Sequence, residues 1–443
     1  MRLRISSTKV VVFGYFIFII LVGSLLLMLP MAWKGAAELR YIDALFTATS
    51  AVCVTGLITV DTASYTRLGQ TVIALLIQTG GLGIITFATI YLASPRKRIS
   101  LVNRAIIKDY YIDEVEYKPK EMIRHILTAT FVIEGLGAAL LFLRFRHLED
   151  GVFLSIFHAV SAFCNAGFST FSDNLEGYVG DSLVSITIMS LIVTGGIGFL
   201  VMRDVALCAL KRKRRLSYHS KMALGVTAFL ILVGALTFFA LEYHRSMKGL
   251  APAQKVIASF FQSVTPRTAG FDTIPQARLS TPSVLITIML MFIGASPGST
   301  GGGVKTTTFF VVLLAAFRGT DESDKLTVGR RSVSAQTIIK AVGVIGKGLG
   351  IIMAAVILLL VVEHDRAGSG PLGLTQALFE VVSAFGTVGL SLGITSSLGD
   401  AAKSILILTM FAGRVGIFAM ALPRSARRIE RYADFPSTDV LIG

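Results

Sequence analysis

Apolar residues run in long blocks through this chain, at 9–31, 68–93, 122–145, 180–203, 222–243, 281–317, 341–363 and 399–422. Each block can cross a bilayer as a helix, which takes about 20 residues. Between alternate blocks lie shorter apolar segments, 41–54, 151–164, 253–266 and 374–387. At about 14 residues each they are too short to span, and they fit re-entrant or interfacial helices. The order is span, half-span, span, four times over. It divides the chain into repeats at 1–93, 94–203, 204–318 and 319–443.

The polar positions orient this layout. With the N-terminus inside, the inner pieces are 1–9, 94–121, 203–221, 318–340 and 423–443. They hold about 26 Lys and Arg, including the run Lys211–Arg215, against about 9 in the outer pieces. Cytoplasmic loops carry that excess, so both termini are expected in the cytoplasm and all four half-spans on the outer side. The formal net charge of +15 is explained by these loops and calls for no nucleic acid. Of the 443 residues 53% are hydrophobic and only 16% charged, which excludes an ordinary soluble domain. Met1–Lys9 is basic, but the apolar run after it is a full span without a small-residue cleavage site, so it reads as a retained helix. Three cysteines (Cys53, Cys164, Cys208) and six scattered histidines suggest neither a disulfide framework nor a metal site. The loop Ser94–Glu121 carries mixed charge, which more often marks a solvated loop than a site, and it is one obvious docking surface for a cytoplasmic partner.

The half-spans align on one glycine. The first reads Phe46 through Val54-Thr55-Gly56-Leu57, the second Phe157 through Asn165-Ala166-Gly167-Phe168. The third reads Phe260 through Thr268-Ala269-Gly270-Phe271, the fourth Phe379 through Thr387-Val388-Gly389-Leu390. Ser50-Ala51, Ser161-Ala162 and Ser383-Ala384 share an offset. The glycines recur at intervals of about 100–120 residues. A second anchor, Gly80-Gly-Leu-Gly83, Gly195-Gly-Ile-Gly198 and Gly413-Arg-Val-Gly416, begins about 24–28 residues after three of them. In the third repeat Gly294 holds that place, and Ala295-Ser296-Pro297 breaks the pattern.

A half-helix in a membrane leaves unpaired backbone groups at its end, tolerated only where they are buried in protein or line a wet cavity. Four extended strands of small residues around one axis can replace a potassium ion's hydration shell with carbonyls. The half-helix C-termini point partial negative charge toward such a cation. The pattern therefore predicts an all-α polytopic membrane protein with four parallel helix–pore loop–helix repeats around a central pore. Its selectivity filter is Val54–Gly56, Asn165–Gly167, Thr268–Gly270 and Thr387–Gly389. For any one of these glycines alone, a helix cap or close packing explains as much.

The third inner span cannot be one helix. Gly294, Ala295, Ser296, Pro297, Gly298, Ser299, Thr300, Gly301, Gly302, Gly303 and Lys305 lie mid-span, and Pro297 cannot donate a backbone hydrogen bond. Broken backbone at that depth should line the path. Arg414 is also mid-span, where an arginine is costly and usually functional. A structural pairing with a buried carboxylate such as Glu380 is the alternative. Glu134 suits a structural pair, and Cys53 and Cys164 suit small packing residues.

The strings VTGL at Val54–Leu57, NAGFS at Asn165–Ser169, TPRTAGF at Thr265–Phe271 and SAFGTVGL at Ser383–Leu390 resemble the superfamily of Trk, Ktr and HKT cation transporters. TGGIGF at Thr194–Phe199 and Gly413–Gly416 add to the resemblance, which covers essentially the whole chain. Only about eight residues precede the first span, which resembles the Ktr membrane subunits (the KtrB type) rather than TrkH-type relatives. Sodium-selective plant HKT relatives carry serine at the first filter glycine, so Gly56 implies potassium as the permeant ion. The resemblance implies that the loop from Gly294 to Lys305 is a gate, with Arg414 an electrostatic barrier beneath the filter. Arg267 is then a brace for the third strand. Relatives often have Gly-Ser-Ala-Ser-like residues where this chain has Ser296-Pro-Gly-Ser299, which alters how stiff the gate is. The resemblance also implies a homodimer in the cell (plasma) membrane, joined through the tail Tyr432–Gly443. Each protomer would dock on a cytoplasmic KtrA-type ring that binds ATP or ADP. No covalent cofactor is implied, and sodium is implied as an activator.

Rival classes are weaker. Gly298–Thr306 superficially matches a phosphate-binding loop, but that motif needs glycine before the lysine and Val304 stands there. No catalytic Ser-His-Asp or His-Glu cluster is evident, so no enzyme is expected. Coupled carriers also use broken helices, but their repeats are commonly inverted or doubled. Nothing in the sequence excludes a receptor or scaffold, though the four strands would then be unexplained.

Overall fold

The computed structural model describes residues 7–93, 119–318, 325–328, 331–364 and 372–416. The tail Tyr432–Gly443 and most of the loop Ser94–Glu121 lie outside them. Fourteen α-helices follow one another in the described residues. The long ones are α1 (Ser7–Leu27), α3 (Arg67–Ala93), α4 (Pro119–Phe145), α8 (Tyr218–Glu242) and α12 (Ala335–Val362). The half-spans form α2 (Tyr41–Val52), α5 (Gly151–Phe163), α9 (Pro252–Val264) and α13 (Leu374–Gly386). Each begins and ends within a few residues of its expected bounds. Apolar content with no helix breaker carries them, and the small polar residues after Phe46, Phe157, Phe260 and Phe379 end them.

Apolar side chains cover the outside. Phe131 is 63% exposed, Leu236 70%, Val361 67% and Leu408 69%. Such a surface is stable against lipid and not against water. Within α4, α8 and α12, Ile123–Phe145, Tyr218–Glu242 and Ala335–Val362 are each long and apolar enough to cross a membrane.

Three inner spans depart from straight helices. The expected continuous span at 180–203 is α6 (Ser182–Gly196) and α7 (Phe199–Ala209), bent by 104°. Gly198, at φ +92°, makes the corner, where a Cβ would run into the Pro297 carbonyl. The span at 281–317 is α10 (Thr281–Phe292) and α11 (Thr306–Arg318), separated by the expected broken stretch. The last inner span is α14 (Asp400–Phe411), passing into a π-helical turn at Ala412–Gly416. A small antiparallel hairpin, β1 (Lys325–Val328) and β2 (Arg331–Ser334), was not foreseen; it precedes α12. Its strands are too short and polar to stand out in a hydropathy pattern.

The second anchor has a plain steric cause. A Cβ on Gly80 would collide with the carbonyl of Val52, on Gly195 with that of Phe163, and on Gly413 with that of Phe385. Those carbonyls sit at equivalent places, four residues before each half-span glycine. Each inner helix thus rests directly on the end of its half-helix. In the third repeat Gly294 meets the carbonyl of Gly302 instead, so the broken stretch folds back into the space used elsewhere by the half-helix.

The last repeat is tied to the first by charge. Lys403 of α14 donates to the Asp43 carboxylate of α2 at 2.6 Å, and both are almost fully buried. Removing one partner leaves a lone charge in a low-dielectric interior. We expect Lys403→Met to destabilise the detergent-solubilised protein by about 3–5 kcal/mol, seen as a lower Tm. Asp43→Asn with Lys403→Met should recover much of that loss.

Candidate functional site

The four half-helices deliver four strands to one place. Val54, Asn165, Thr268 and Thr387 have φ of 51°, 59°, 73° and 50°. Gly56, Gly167, Gly270 and Gly389 have φ of 91°, 69°, 76° and 99°. The residue between each pair is not left-handed. Alternating hand turns successive peptide units so that their carbonyls face one side. Non-glycine residues in the left-handed region cost of order 1–3 kcal/mol each and persist only where surroundings over-determine them. Four such residues at one repeat position mark a site.

The strands close on one another. A Cβ on Gly56 would strike the Ala166 carbonyl and press on Gly167; one on Gly167 would strike Ala269 and Gly270. One on Gly270 would strike Val388 and Gly389, and one on Gly389 would strike Thr55 and Gly56. The contacts run one, two, three, four and back to one. All twelve residues of these strands are fully buried except Gly389, and they carry no charge. Among the described residues the Thr55 and Thr387 hydroxyls have no hydrogen-bond partner.

Side chains hold the strands from behind. Ser50 and Ser383 accept from the N–H groups of Gly56 and Gly389 at 3.0 and 3.1 Å. Among the described residues the equivalent Ser161 hydroxyl has no partner. Thr265 donates to the Phe271 carbonyl. His158, which the sequence left without a role, and Glu380, the candidate partner of Arg414, reach the loops after the second and fourth strands: His158 Nε2 is 3.0 Å from Ser169 Oγ, and Ser391 donates to Glu380. Their shared offset after the aligned phenylalanines was the available signal.

The broken stretch lies against the third and fourth strands. A Cβ on Gly301 would meet Thr268 Oγ1 and one on Gly302 would meet Thr387 Oγ1. Gly294 N–H donates to Val304 at 2.8 Å, and Ser296 N–H to Gly196 at 3.0 Å. Thr300 Oγ1 donates to the Phe163 and Gly195 carbonyls at 3.1 Å. Phe199 N–H donates to Gly298 at 3.0 Å, which joins the stretch to the bend in the second inner span. Lys305 Nζ donates to the Gly301 carbonyl at 2.7 Å.

Arg414 is buried and does not pair with Glu380. It donates to the carbonyl of Thr300 and, at 3.1 Å, to that of Gly80. It therefore clamps the broken stretch to the first inner helix. Glu380 is engaged by Ser391, by Leu392 N–H at 3.2 Å and by Thr395 Oγ1 at 2.9 Å. Arg267 turns away from the strands and donates to the carbonyl and hydroxyl of Thr227 in α8, at 3.4 and 3.3 Å. Glu134 accepts from Gln78 Nε2 at 3.2 Å, beside the buried Cys164. Cys53 is fully buried.

Beyond the third strand, Asp272 lies near Asp173 and Glu176 of the loop after the second. Burial pushes its carboxyl up to about 8, and the charges of Glu176 and Asp173 push the same way. Among the described residues its Oδ1 has no hydrogen-bond partner. Arg278 acts on Glu176 from the opposite sense.

Comparison with known proteins gives this arrangement its relatives. The chain is 39% identical to the Ktr system potassium uptake protein B of Bacillus subtilis over 97% of this chain and 96% of that protein. It is 37% identical to the potassium/sodium uptake protein NtpJ of Enterococcus hirae, over 100% of this chain and 98% of that one. The crystal structure of the potassium transporter TrkH from Vibrio parahaemolyticus superposes with a TM-score of 0.74 at 20% identity, over 95% of this chain and 85% of that chain, and shows the same fold. The TrkH family model, described as cation transport protein, matches residues 3–431. With four strands closed into one glycine-lined ring inside an apolar helical body, this chain is an integral membrane protein and belongs to the TrkH family of cation transport proteins.

Proposed function

We propose that this chain is the pore-forming subunit of a potassium uptake system. The observation that carries the reading is the closed ring of Gly56, Gly167, Gly270 and Gly389, each preceded two residues earlier by a left-handed residue. Carbonyls on such strands supply the oxygen ligands that a dehydrated potassium ion needs. The filter is Val54–Gly56, Asn165–Gly167, Thr268–Gly270 and Thr387–Gly389, one strand from each of the four repeats. Half-helices ending just before the strands add partial negative charge without a full anion that would trap the ion.

The stretch from Gly294 to Lys305 is the gate. It lies directly against Thr268 and Thr387, where Gly301 and Gly302 leave room for backbone and not for side chains. Arg414 holds it by the Thr300 carbonyl, and its charge, with that of Lys305, opposes cations under the filter. Releasing that clamp frees the stretch to move. The trigger is a cytoplasmic KtrA-type ring that binds ATP or ADP, docked on the basic inner loops, with sodium as an activator. The chain works as a homodimer in the plasma membrane with both termini inside. The relatives' names, potassium uptake and potassium/sodium uptake, support the ion assignment.

On this reading the carboxyl of Asp272, two residues after Gly270 of the third strand, faces the outer entrance, and it ionises as external pH rises through about 8. Ionisation adds negative charge beside Glu176 and Asp173 and raises the local cation concentration. The apparent KM for rubidium should therefore fall between external pH 7 and 9. Asp272→Asn should flatten that dependence, as read by initial uptake rates.

The direct test is rubidium uptake at low potassium in cells lacking potassium uptake, with and without a KtrA-type partner. Wild type should restore uptake. Gly56→Ser adds a side chain against the Ala166 carbonyl at a left-handed position. It should lower uptake, or its preference over sodium, about tenfold, which is about 1.4 kcal/mol. Wild-type protein present in the membrane with its partner and moving no rubidium would overturn the reading.

A further inference from the structure

The four repeats treat the exits of their strands unequally. Nine residues before each half-span glycine stand Thr47, His158, Phe261 and Glu380; two residues after it stand Ile58, Ser169, Asp272 and Ser391. Only the second and fourth repeats place a polar side chain at both positions and join them. His158 is fully buried, with Nδ1 2.8 Å from the Leu154 carbonyl. Nδ1 therefore carries the proton, and Nε2 is left as an acceptor 3.0 Å from Ser169 Oγ, whose one proton is shared with the Asn174 carbonyl at 3.2 Å. Ser169 Oγ in turn accepts from Phe171 N–H at 3.0 Å. In the fourth repeat the fully buried Glu380 carboxylate takes Ser391, Leu392 and Thr395, while Ser391 accepts from Gly393 N–H at 2.9 Å.

The other two repeats lack this link. Thr47 meets the Tyr65 hydroxyl at 3.4 Å, and Ile58 offers no polar atom. Phe261 cannot serve Asp272. An ionisable group buried in a membrane protein is costly, and repeats one and three show that a half-helix folds here without one at this position, where they carry Thr47 and Phe261. The cost in repeats two and four must be offset by something the link does. The ring order places these two strands on opposite sides, each neighbouring the first and third.

We propose that His158 and Glu380 are positioning residues that fix two opposed filter strands, through Ser169 and Ser391, and so set how well the pore rejects sodium. This rests on the reading of the ring as a potassium filter. Discrimination depends on how many carbonyls surround the ion and how firmly they are held. With both links intact the ring cannot narrow along the axis from the second strand to the fourth. With a link lost, that axis adapts to a smaller cation.

The test uses the full chain with its partner in cells lacking potassium uptake. Rubidium uptake and its inhibition by sodium are measured per amount of protein in the membrane. Ser169→Ala and Ser391→Ala each remove one hydroxyl; His158→Gln and Glu380→Gln alter the other end of each link. Ser155→Ala removes a buried hydroxyl of α5 that, among the described residues, bonds the Gly151 carbonyl of its own helix, and it should keep wild-type discrimination. Each serine variant should lose preference for rubidium over sodium about threefold or more, and the double variant should lose more. Should a His158 or Glu380 variant fail to reach the membrane, the serine variants decide. Unchanged discrimination in the serine variants, whatever the uptake rate, would overturn the proposal. A wild type that moves no rubidium would instead overturn the potassium reading, before any variant is compared.

Discussion

Four backbones meeting without side chains between them constrain the rest of this molecule. A Cβ at any of Gly56, Gly167, Gly270 or Gly389 would occupy the space of a neighbouring carbonyl. Chains held that close have no slack, so whatever delivers them must be stiff. The half-helices are stiff, and the inner helices press on their ends at Gly80, Gly195 and Gly413 with the same backbone intimacy. Two layers of glycine contact therefore transmit the positions of the inner helices to the ring. The residues left in strained conformations, Val54, Asn165, Thr268 and Thr387, are held there by this crowding.

The third repeat breaks the symmetry. Its inner helix stops at Phe292 and resumes at Thr306, and the chain between them packs against the strands of its own repeat and the next. Backbone groups that a helix would satisfy internally must find other partners at that depth. They find Gly196 and Gly195 of the second repeat, and Arg414 of the fourth. An otherwise expensive buried arginine is thereby explained by carbonyl acceptors, with no carboxylate needed. The second inner span bends where the stretch passes, and a Cβ on Gly198 at that corner would meet the Pro297 carbonyl.

Buried polar groups elsewhere join repeats to one another. Lys403 with Asp43 links the fourth repeat to the first, and Gln78 with Glu134 links the first to the second. Glu242 anchors the start of α10 by accepting from Ser280 N–H and Oγ at 2.9 and 2.6 Å. Lipid offers no hydrophobic reason for one apolar helix to choose another, so such bonds and close packing decide the neighbours.

Much of this was legible in the chain itself. Hydropathy blocks gave the helical membrane class because a bilayer sets a length that only apolar runs satisfy. The half-spans, their glycines and the second anchors were visible because a repeated structure repeats its steric demands, and glycine is the residue that records them. The break at Gly294–Lys305 was visible because Pro297 and the glycines cannot continue a helix. Partners were not legible. That Arg414 meets Thr300 and Gly80, that Glu380 serves Ser391 rather than Arg414, and that Arg267 turns to Thr227 depend on residues 40 to 334 positions apart or on loop geometry. The bend at Gly198 was hidden because the carbonyl packed against it, that of Pro297, comes from another repeat. Local chemistry determined which elements form; which of them touch was decided only when the four strands closed on one another.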